Sequence, residues 1–178
     1  KLDFRKAFDS VCWKTLLHTL QVRGFPPRLC DWINSLLNTG STTVMLNGIP
    51  GRWIQCKNGL RQGDPLSPYL FIIVADILQQ MIIKANREGK LLHPLSPRLP
   101  CPVLQYADDT LIIVKATPGA AKHLKSILDS FAAATGLQIN FDKTTFIPLN
   151  VDPTNAALMA ADLATISPPS RKLISAFL

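Results

Sequence analysis

Residues 103–115 read Val103-Leu104-Gln105-Tyr106-Ala107-Asp108-Asp109-Thr110-Leu111-Ile112-Ile113-Val114-Lys115, and the predicted architecture depends mainly on this segment. Apolar residues flank a short polar centre, which predicts a β-hairpin with arms at 103–106 and 110–115. The run from Leu111 to Val114 is continuously apolar, as in a strand that is covered on at least one face near the centre of a sheet. Asp108 and Asp109 therefore lie at the tip of a hairpin with apolar arms.

Two neighbouring carboxylates at such a tip have two interpretations. Aspartate is a good turn former, and a solvated turn is the commoner origin of a bare Asp-Asp pair. Alternatively, the like charges repel each other until a cation compensates them, and Mg²⁺ is bound in this way by carboxylates and substrate phosphates. Asp3 is a further carboxylate at the end of a predicted strand, followed by a helix. Spacing alone leaves the pairing of Asp3 with Asp108 open.

Composition limits the classes of protein to which the chain can belong. It has 178 residues, 47% hydrophobic and 17% charged, which favours one domain or most of one and excludes a disordered chain. The longest unbroken apolar run, residues 69–75, is far shorter than the ~18 residues of a membrane span, so we expect no membrane partner. The net charge of +7 suits a polyanion partner, although a merely basic surface fits equally well. The four cysteines lack zinc-site spacing, and we expect them reduced and mostly buried. With no targeting segment visible, a nuclear or cytoplasmic location is expected.

Apolar periodicity predicts an α+β fold in which helices and antiparallel hairpins are intermixed. The predicted helices cover residues 9–23, 27–40, 67–87, 117–136 and, more weakly, 154–164. Besides the hairpin at 103–115, predicted strands cover residues 42–46 and 52–56, joined by a turn at Asn47-Gly48, and residues 137–140 and 144–149. Residues 94–102 contain four prolines and are expected to form a loop.

Four segments together resemble a known family. They are Leu2 to Val11, Gly59 to Pro68, Tyr106 to Asp109, and Gly136 to Asn140 with Lys143. In this order they closely resemble successive motifs of reverse transcriptases, especially those of non-LTR (LINE-type) retrotransposons of plant genomes. The resemblance covers residues 1–150.

The resemblance implies the palm of a right-hand polymerase fold with part of the fingers at residues 1–150. Residues 151–178 would then be a degenerate or truncated C-terminal extension. The implied activity is RNA-directed DNA polymerase, which transfers a dNTP to a primer 3′-hydroxyl on an RNA template. The implied metal ligands are Asp3 and Asp108, with Asp109 as a weaker ligand, for two Mg²⁺ about 3.5–4 Å apart, which Mn²⁺ could replace.

The resemblance also implies nucleotide-binding residues. Phe8 lies five residues after Asp3, where an aromatic ring excludes a 2′-hydroxyl in the family, whereas simple core packing is the alternative. Arg61 and Gln62 would meet phosphate and the template base or nucleotide, whereas a solvated loop is their alternative. The remaining members of the implied nucleotide-binding set are Phe4 and Gly63.

Four further residues are candidates on the nucleic-acid side of the site. Lys143 is either a donor near the departing pyrophosphate or an ordinary surface lysine. The candidates for contact with the nucleic acid are Lys6, Arg52 and Tyr106, whose charged members would add salt-sensitive affinity for phosphate.

Two alternative functions stay open. One is a non-catalytic remnant of a retroelement that binds RNA weakly, and the other is a reverse transcriptase of the intron-maturase type. No fingers segment precedes Asp3 and no convincing primer-gripping hairpin follows Leu149, so we expect the missing fingers, thumb and endonuclease segments of the parent polyprotein to lie outside this sequence. The 178-residue chain alone is therefore expected to be inactive.

Overall fold

The computed structural model describes residues 1–96 and 98–164. Residues 165–178, which belong to the predicted C-terminal extension, lie outside the described residues. Described helices are α1 (Ala7–Ser10), α2 (Trp13–Val22), α3 (Pro27–Asn38), α4 (Ser67–Arg87), α5 (Ala120–Thr135) and α6 (Pro153–Ala164). Described strands are β1 (Ser41–Thr42), β2 (Met45–Leu46), β3 (Ile49–Pro50), β4 (Ile54–Gln55), β5 (Val103–Tyr106) and β6 (Asp109–Ile112). This mixture of helices with small antiparallel sheets confirms the predicted α+β class.

Helix boundaries follow the turn and capping residues. Helix α4 begins at Ser67 with a proline in its first turn and ends at Arg87, as predicted. Helix α5 ends before Gly136, whose φ of 81° stops the helix in the left-handed region. The prediction of one helix over 9–23 is wrong, because Val11 is extended (φ −57°, ψ 123°) and separates α1 from α2.

The core is built around α4, which packs against α2 and α5. The largest fully buried side chains are Phe71, Phe131, Leu16, Leu20, Leu78, Ile82, Leu91, Leu128, Leu137, Val11, Val74 and Thr110. Most of them come from these three helices, and the others lie in segments next to the helices or, for Thr110, in β6. The core thus supports one face of residues 2–4 and of the β5–β6 hairpin.

Helix α4 also meets the length and hydropathy criterion for a membrane span. It has 21 residues and a mean hydropathy of 1.4 over its most apolar window. The unbroken apolar run 69–75 is much shorter than this helix because Asp76 interrupts the run. Core helices of water-soluble proteins pass the same test, so the criterion is weak evidence. Here Leu70, Phe71, Val74 and Leu78 are all buried against the rest of the chain.

The segment 41–56 forms a projecting hairpin. Asn47 and Gly48 both have positive φ (49° and 80°), which is typical of a type I′ turn and confirms the predicted position. The two predicted long strands are instead two short ladders, β2–β3 and β1–β4. Beyond Pro50 the Gly51 N–H still donates to the Val44 carbonyl oxygen at 2.9 Å, and the regular ladder is interrupted between there and the β1–β4 pair. Several apolar side chains are exposed here, namely Val44, Met45, Leu46, Ile49, Trp53 and Ile54.

Candidate active site

The Asp108 turn joins two strands of four residues each. Tyr106 pairs with Asp109 across the turn, so Ala107 and Asp108 are its two central residues. Of these two only Ala107 has positive φ (52°), which is the pattern of a type II′ turn and is unusual for a residue with a Cβ. Asp108, Asp109 and Tyr106 are exposed, and Tyr106 is 86% accessible. The predicted hairpin is confirmed, with its carboxylates at an open tip, but its second strand ends at Ile112 and not at Lys115 as predicted.

The segment that carries Asp3 lies directly beside this hairpin. The Leu2 N–H donates to the Thr110 carbonyl oxygen at 2.7 Å, and the Thr110 N–H donates back at 3.3 Å. This is an antiparallel hydrogen-bonded pair, so one step towards the turn Asp3 lies opposite Asp109. Leu2 and Thr110 are buried, and the alternation of side chains along a strand puts Asp3 and Asp109 together on the other face.

A second neighbour fixes the other edge of the same segment. Phe4 pairs with Ile139, the Asn140 N–H donates to the Asp3 carbonyl oxygen at 2.8 Å, and the Arg5 N–H donates to Gln138. The Asp3 segment is therefore held between β6 and residues 138–140. The predicted strand at 144–149 is wrong: Thr145 exchanges hydrogen bonds with Lys1, but no ladder continues from it.

The donor set suits a hard divalent cation, because carboxylate oxygens are the ligands that Mg²⁺ and Mn²⁺ prefer. The side chains are not gathered into a finished site, however. Within residues 1–96 and 98–164 no group of three His, Cys, Asp or Glu side chains is arranged to hold an ion. One of the candidate ligands already has an ion-pair partner, because Asp109 Oδ1 lies 2.9 Å from Lys1 Nζ.

The loop from Asn58 to Pro65 packs against α1 and the start of α2. Leu60 N–H donates to the Phe8 carbonyl at 2.7 Å, Gly59 N–H donates to Val11 at 2.8 Å, and the Trp13 indole N–H donates to Gly59 at 2.6 Å. Gly59 has φ +85°, and a Cβ there would lie 2.6 Å from the Asp9 carbonyl oxygen. Only glycine allows this approach, which holds the loop beside the Asp3 segment.

The polar residues of this loop line a cleft. Gln62 Nε2 lies 3.4 Å from Asp9 Oδ1, and the Arg61 guanidinium lies against Gly40 at the end of α3. Asp64 Oδ1 accepts the Leu66 N–H at 2.8 Å and so braces the start of α4. The cleft is about 440 Å³ and is bounded by α3, the loop and Trp13. Gly63 has φ +87° and lies in open space, since a Cβ added there would meet nothing within 4 Å.

The two phenylalanines predicted near the nucleotide pack against the core. Phe4 is 4% exposed, and its ring lies 6.0 Å from that of Phe131. Phe8 is half-buried and stacks on Phe71, with ring centroids 4.9 Å apart and planes 16° apart. Packing explains the burial of Phe4, while Phe8 is partly exposed. A nucleotide role for either residue stays a prediction.

The predicted cations are exposed. Lys143 lies in the turn after residues 138–140, where its N–H donates to Asn140 at 3.1 Å. Lys6 has φ 45° at the start of α1, and Arg52 lies on the projecting hairpin. None of the three has an ion-pair partner in the part of the chain that the structure describes.

Sequence reasoning missed two contacts of the site. The ion pair between Lys1 and Asp109 has a signal in the sequence, because Lys1 and Asp3 alternate onto one face of a strand. The hydrogen bond from Trp13 to Gly59 has none, because an apolar helical pattern explains a tryptophan at position 13 without any polar partner.

Comparison with known proteins identifies the class to which this arrangement belongs. A family model described as "Reverse transcriptase (RNA-dependent DNA polymerase)" matches residues 1–154. The chain therefore belongs to the reverse transcriptase family.

Similar curated proteins narrow the class further. The chain is 34% identical over 112 residues to the Pol polyprotein of the type-1 retrotransposable element R2 of Popillia japonica, which covers 63% of this chain and 18% of the relative. It is 28% identical over 152 residues to that of R2DM of Drosophila melanogaster, with 85% and 14% covered. It is also 28% identical over 149 residues to the RNA-directed DNA polymerase from mobile element jockey of Drosophila melanogaster, which covers 80% of this chain and 15% of the relative.

These relatives are non-LTR retrotransposon proteins, which confirms the class predicted from the four motifs. The narrower expectation of a plant element stays a prediction. The chain spans less than a fifth of the length of each of these three relatives.

Proposed function

We propose that this chain is the catalytic palm, with part of the fingers, of an RNA-directed DNA polymerase of a non-LTR retrotransposon. One observation carries the proposal: the Leu2–Thr110 pair joins the Asp3 segment to the Asp108 turn in a chain of the reverse transcriptase family. Two carboxylate-bearing segments from distant parts of the sequence thereby open onto the same face of one small sheet.

The proposed metal ligands are Asp3 and Asp108, with Asp109 beside them, for two Mg²⁺. Bound there, Mg²⁺ would supply the charge that activates the primer 3′-hydroxyl and neutralises the leaving pyrophosphate. The chain's own contribution is position, because phosphoryl-type transfer depends mainly on alignment and electrostatic stabilisation. The strand pairs on both sides of Asp3 supply that rigidity.

The nucleotide would lie between the carboxylates and the docked loop. Gln62 is held by Asp9 at the mouth of the cleft, where its amide is available to a base or sugar. Phe8 is partly exposed and adjoins the same loop through its backbone, since the Phe8 carbonyl accepts the Leu60 N–H. Bulk at Phe8 would select deoxyribonucleotides, and Lys143 would act near the departing pyrophosphate.

The proposed partners are an RNA template, a DNA primer and dNTPs. The relatives are more than five times as long as the region they share with this chain, so other segments of a longer polyprotein are available to grip the template and the primer. Lys6, Arg52 and Tyr106 are the proposed contacts of this chain with nucleic acid, and their exposure suits that role.

Primer extension on an RNA template tests the proposal in a polypeptide that joins this chain to the flanking sequence of its gene. We expect Mg²⁺-dependent DNA synthesis that Asp108→Asn abolishes while RNA binding is nearly unchanged, because asparagine keeps the shape and loses the charge. Asp31→Asn, on the exposed surface of α3, is the matched control and should retain synthesis. Near-normal extension by Asp108→Asn would remove Asp108 from catalysis. No templated synthesis by the unmodified protein would favour the non-catalytic alternative.

A further inference from the structure

We propose that Lys1 is a built-in counter-ion for the carboxylate site, which holds Asp109 in the metal-free chain and which a divalent cation must displace. The inference rests on the proposed function, because it assumes that Asp109 belongs to a metal site. It assigns a role to a residue outside the predicted ligand set and makes the site's affinity for metal adjustable through one ammonium group.

The geometry of the sheet brings Lys1 to Asp109. Lys1 and Asp3 lie two residues apart on one strand, so their side chains share a face. The Leu2–Thr110 register puts Asp3 opposite Asp109 and therefore Lys1 diagonal to it. Diagonal neighbours across an antiparallel pair are about 7–8 Å apart at Cα, a span that a lysine side chain covers. The observed distance from Nζ to Oδ1 is 2.9 Å.

Hydrogen bonds hold the backbone of Lys1 in place, and this fixes the position from which its side chain reaches Asp109. Its carbonyl accepts the Thr145 N–H at 2.9 Å, and its own nitrogen donates to the Thr145 carbonyl at 2.7 Å. The next residue forms the Leu2–Thr110 pair. Lys1 is therefore held between Thr145 on one side and the hairpin on the other, with its side chain directed along the carboxylate face.

Charge explains what the contact does. Three aspartates share this end of the sheet, and among the described residues only Asp109 of the three has an ion-pair partner. The ammonium offsets part of the repulsion that a metal would otherwise relieve. It also engages the oxygen that the metal needs, so lysine and metal compete. Both side chains are about half exposed, 51% and 53%, so the exchange changes the affinity only modestly.

A titration of the 178-residue chain with Mn²⁺ at low salt, followed through the electron paramagnetic resonance signal of free Mn²⁺, measures the competition without any need for activity. We expect Lys1→Met to bind Mn²⁺ about two- to fivefold more tightly than the unmodified chain, the range of an exposed ion pair. Lys1→Arg keeps the charge and should restore the original affinity. Added salt should shrink the difference, because it screens exposed pairs.

Lys90→Met is the matched control. Lys90 forms an ion pair with Glu88 at 2.6 Å with similar exposure, so its removal deletes the same charge outside the carboxylate site. Equal affinities for Lys1→Met and Lys90→Met, or weaker binding by Lys1→Met, would overturn the role of Lys1 while leaving the proposed metal site intact. If Asp108→Asn leaves the bound Mn²⁺ unchanged, or if no variant binds Mn²⁺ saturably, the metal site itself is overturned and this inference with it.

Discussion

Leu2 and Thr110 exchange both of their backbone hydrogen bonds, at 2.7 and 3.3 Å, and this single pair joins the two ends of the candidate site. Both side chains are buried, at 7% and 1% exposure, so the pair is anchored from below by the core. The carboxylate-bearing residues one step further along each segment consequently lie on the exposed face. The proposed metal site depends on this register, because a slip of one residue would turn the aspartates into the core.

Glycine at position 59 is expected to be required for docking of the loop. In Gly59→Ala the new Cβ would lie 2.6 Å from the Asp9 carbonyl oxygen in addition to the cost of positive φ. We expect the free energy of unfolding to fall by more than about 3 kcal/mol, measured by urea denaturation. Gly24→Ala is the control, since Gly24 has a similar φ of +78° and nothing within 4 Å, and should lose only about 1–2 kcal/mol. Equal losses would show that the close approach to Asp9 does not constrain the loop.

The indole N–H of Trp13 should matter to the same loop. Trp13→Phe keeps an aromatic ring and removes the 2.6 Å hydrogen bond to Gly59, leaving a part-buried carbonyl without that donor. The expected loss of stability is about 1–3 kcal/mol by denaturant unfolding. Trp53→Phe makes the same substitution at a side chain that is 70% exposed and should change stability by less than about 0.5 kcal/mol. A Trp13→Phe protein as stable as the Trp53→Phe protein would contradict this assignment.

Phe8 is predicted to select the sugar through its bulk. In Phe8→Ala, incorporation of ribonucleotides relative to deoxyribonucleotides should rise in primer extension by the longer polypeptide, because truncation opens space beside the loop. The lost stacking on Phe71 should also destabilise the fold by up to about 3 kcal/mol, since the ring is only half-buried.

A core truncation separates the two effects of Phe8. Ile82→Ala removes a fully buried side chain from the same helix as Phe71 and should destabilise the protein without altering the sugar preference. The ratio is measured on folded protein in both cases. An unchanged ratio in Phe8→Ala would mean that the ring serves packing alone.

The reactivity of two thiols should separate with pH. The backbone N–H of Thr15 donates to the Cys12 sulfur and lowers the pKa of that thiol. Burial raises the pKa of the Cys101 thiol. The thiolate is the reactive form, so near pH 7 Cys12 has the larger reactive fraction and should be alkylated by iodoacetamide first. Mass mapping of the peptides gives the order. After denaturation the two thiols should be alkylated at equal rates. Equal rates in the native protein would contradict the different pKa values of Cys12 and Cys101.

The parts of the fold that the sequence predicts are those with local punctuation. Helix α4 has the predicted bounds because a proline in its first turn marks where it begins. The turn of the 41–56 hairpin lies at Asn47-Gly48, as predicted, because both residues tolerate positive φ. The single helix over 9–23 and the strand over 144–149 are wrong for a common reason. Apolar periodicity does not report a backbone kink such as that at Val11, nor whether a partner strand continues beyond Thr145.

The motifs allow the residues of the candidate site to be proposed, but they do not predict how these residues are arranged. The Asp108 turn and Asp3 are recognisable from their motifs, yet their pairing depends on a long-range strand register that no local pattern encodes. Phe4 illustrates the same limit: its place in a motif suggests a ligand contact, whereas its 4% exposure and its contact with Phe131 follow from which face of the strand meets α5.

The most direct test of the shared metal site is whether one metal ion is close to both segments at once. Fe²⁺ substituted for Mg²⁺, with ascorbate and peroxide, cleaves the backbone next to its binding site, and the cuts in the 178-residue chain can be mapped by mass spectrometry. We predict cuts within residues 1–6 and within 106–109 that fade together as Mg²⁺ is added, that disappear together in Asp108→Asn, and that persist in Asp31→Asn. Cuts confined to one of the two segments, or cuts that Asp108→Asn leaves in place, would contradict a metal site formed jointly by Asp3 and Asp108.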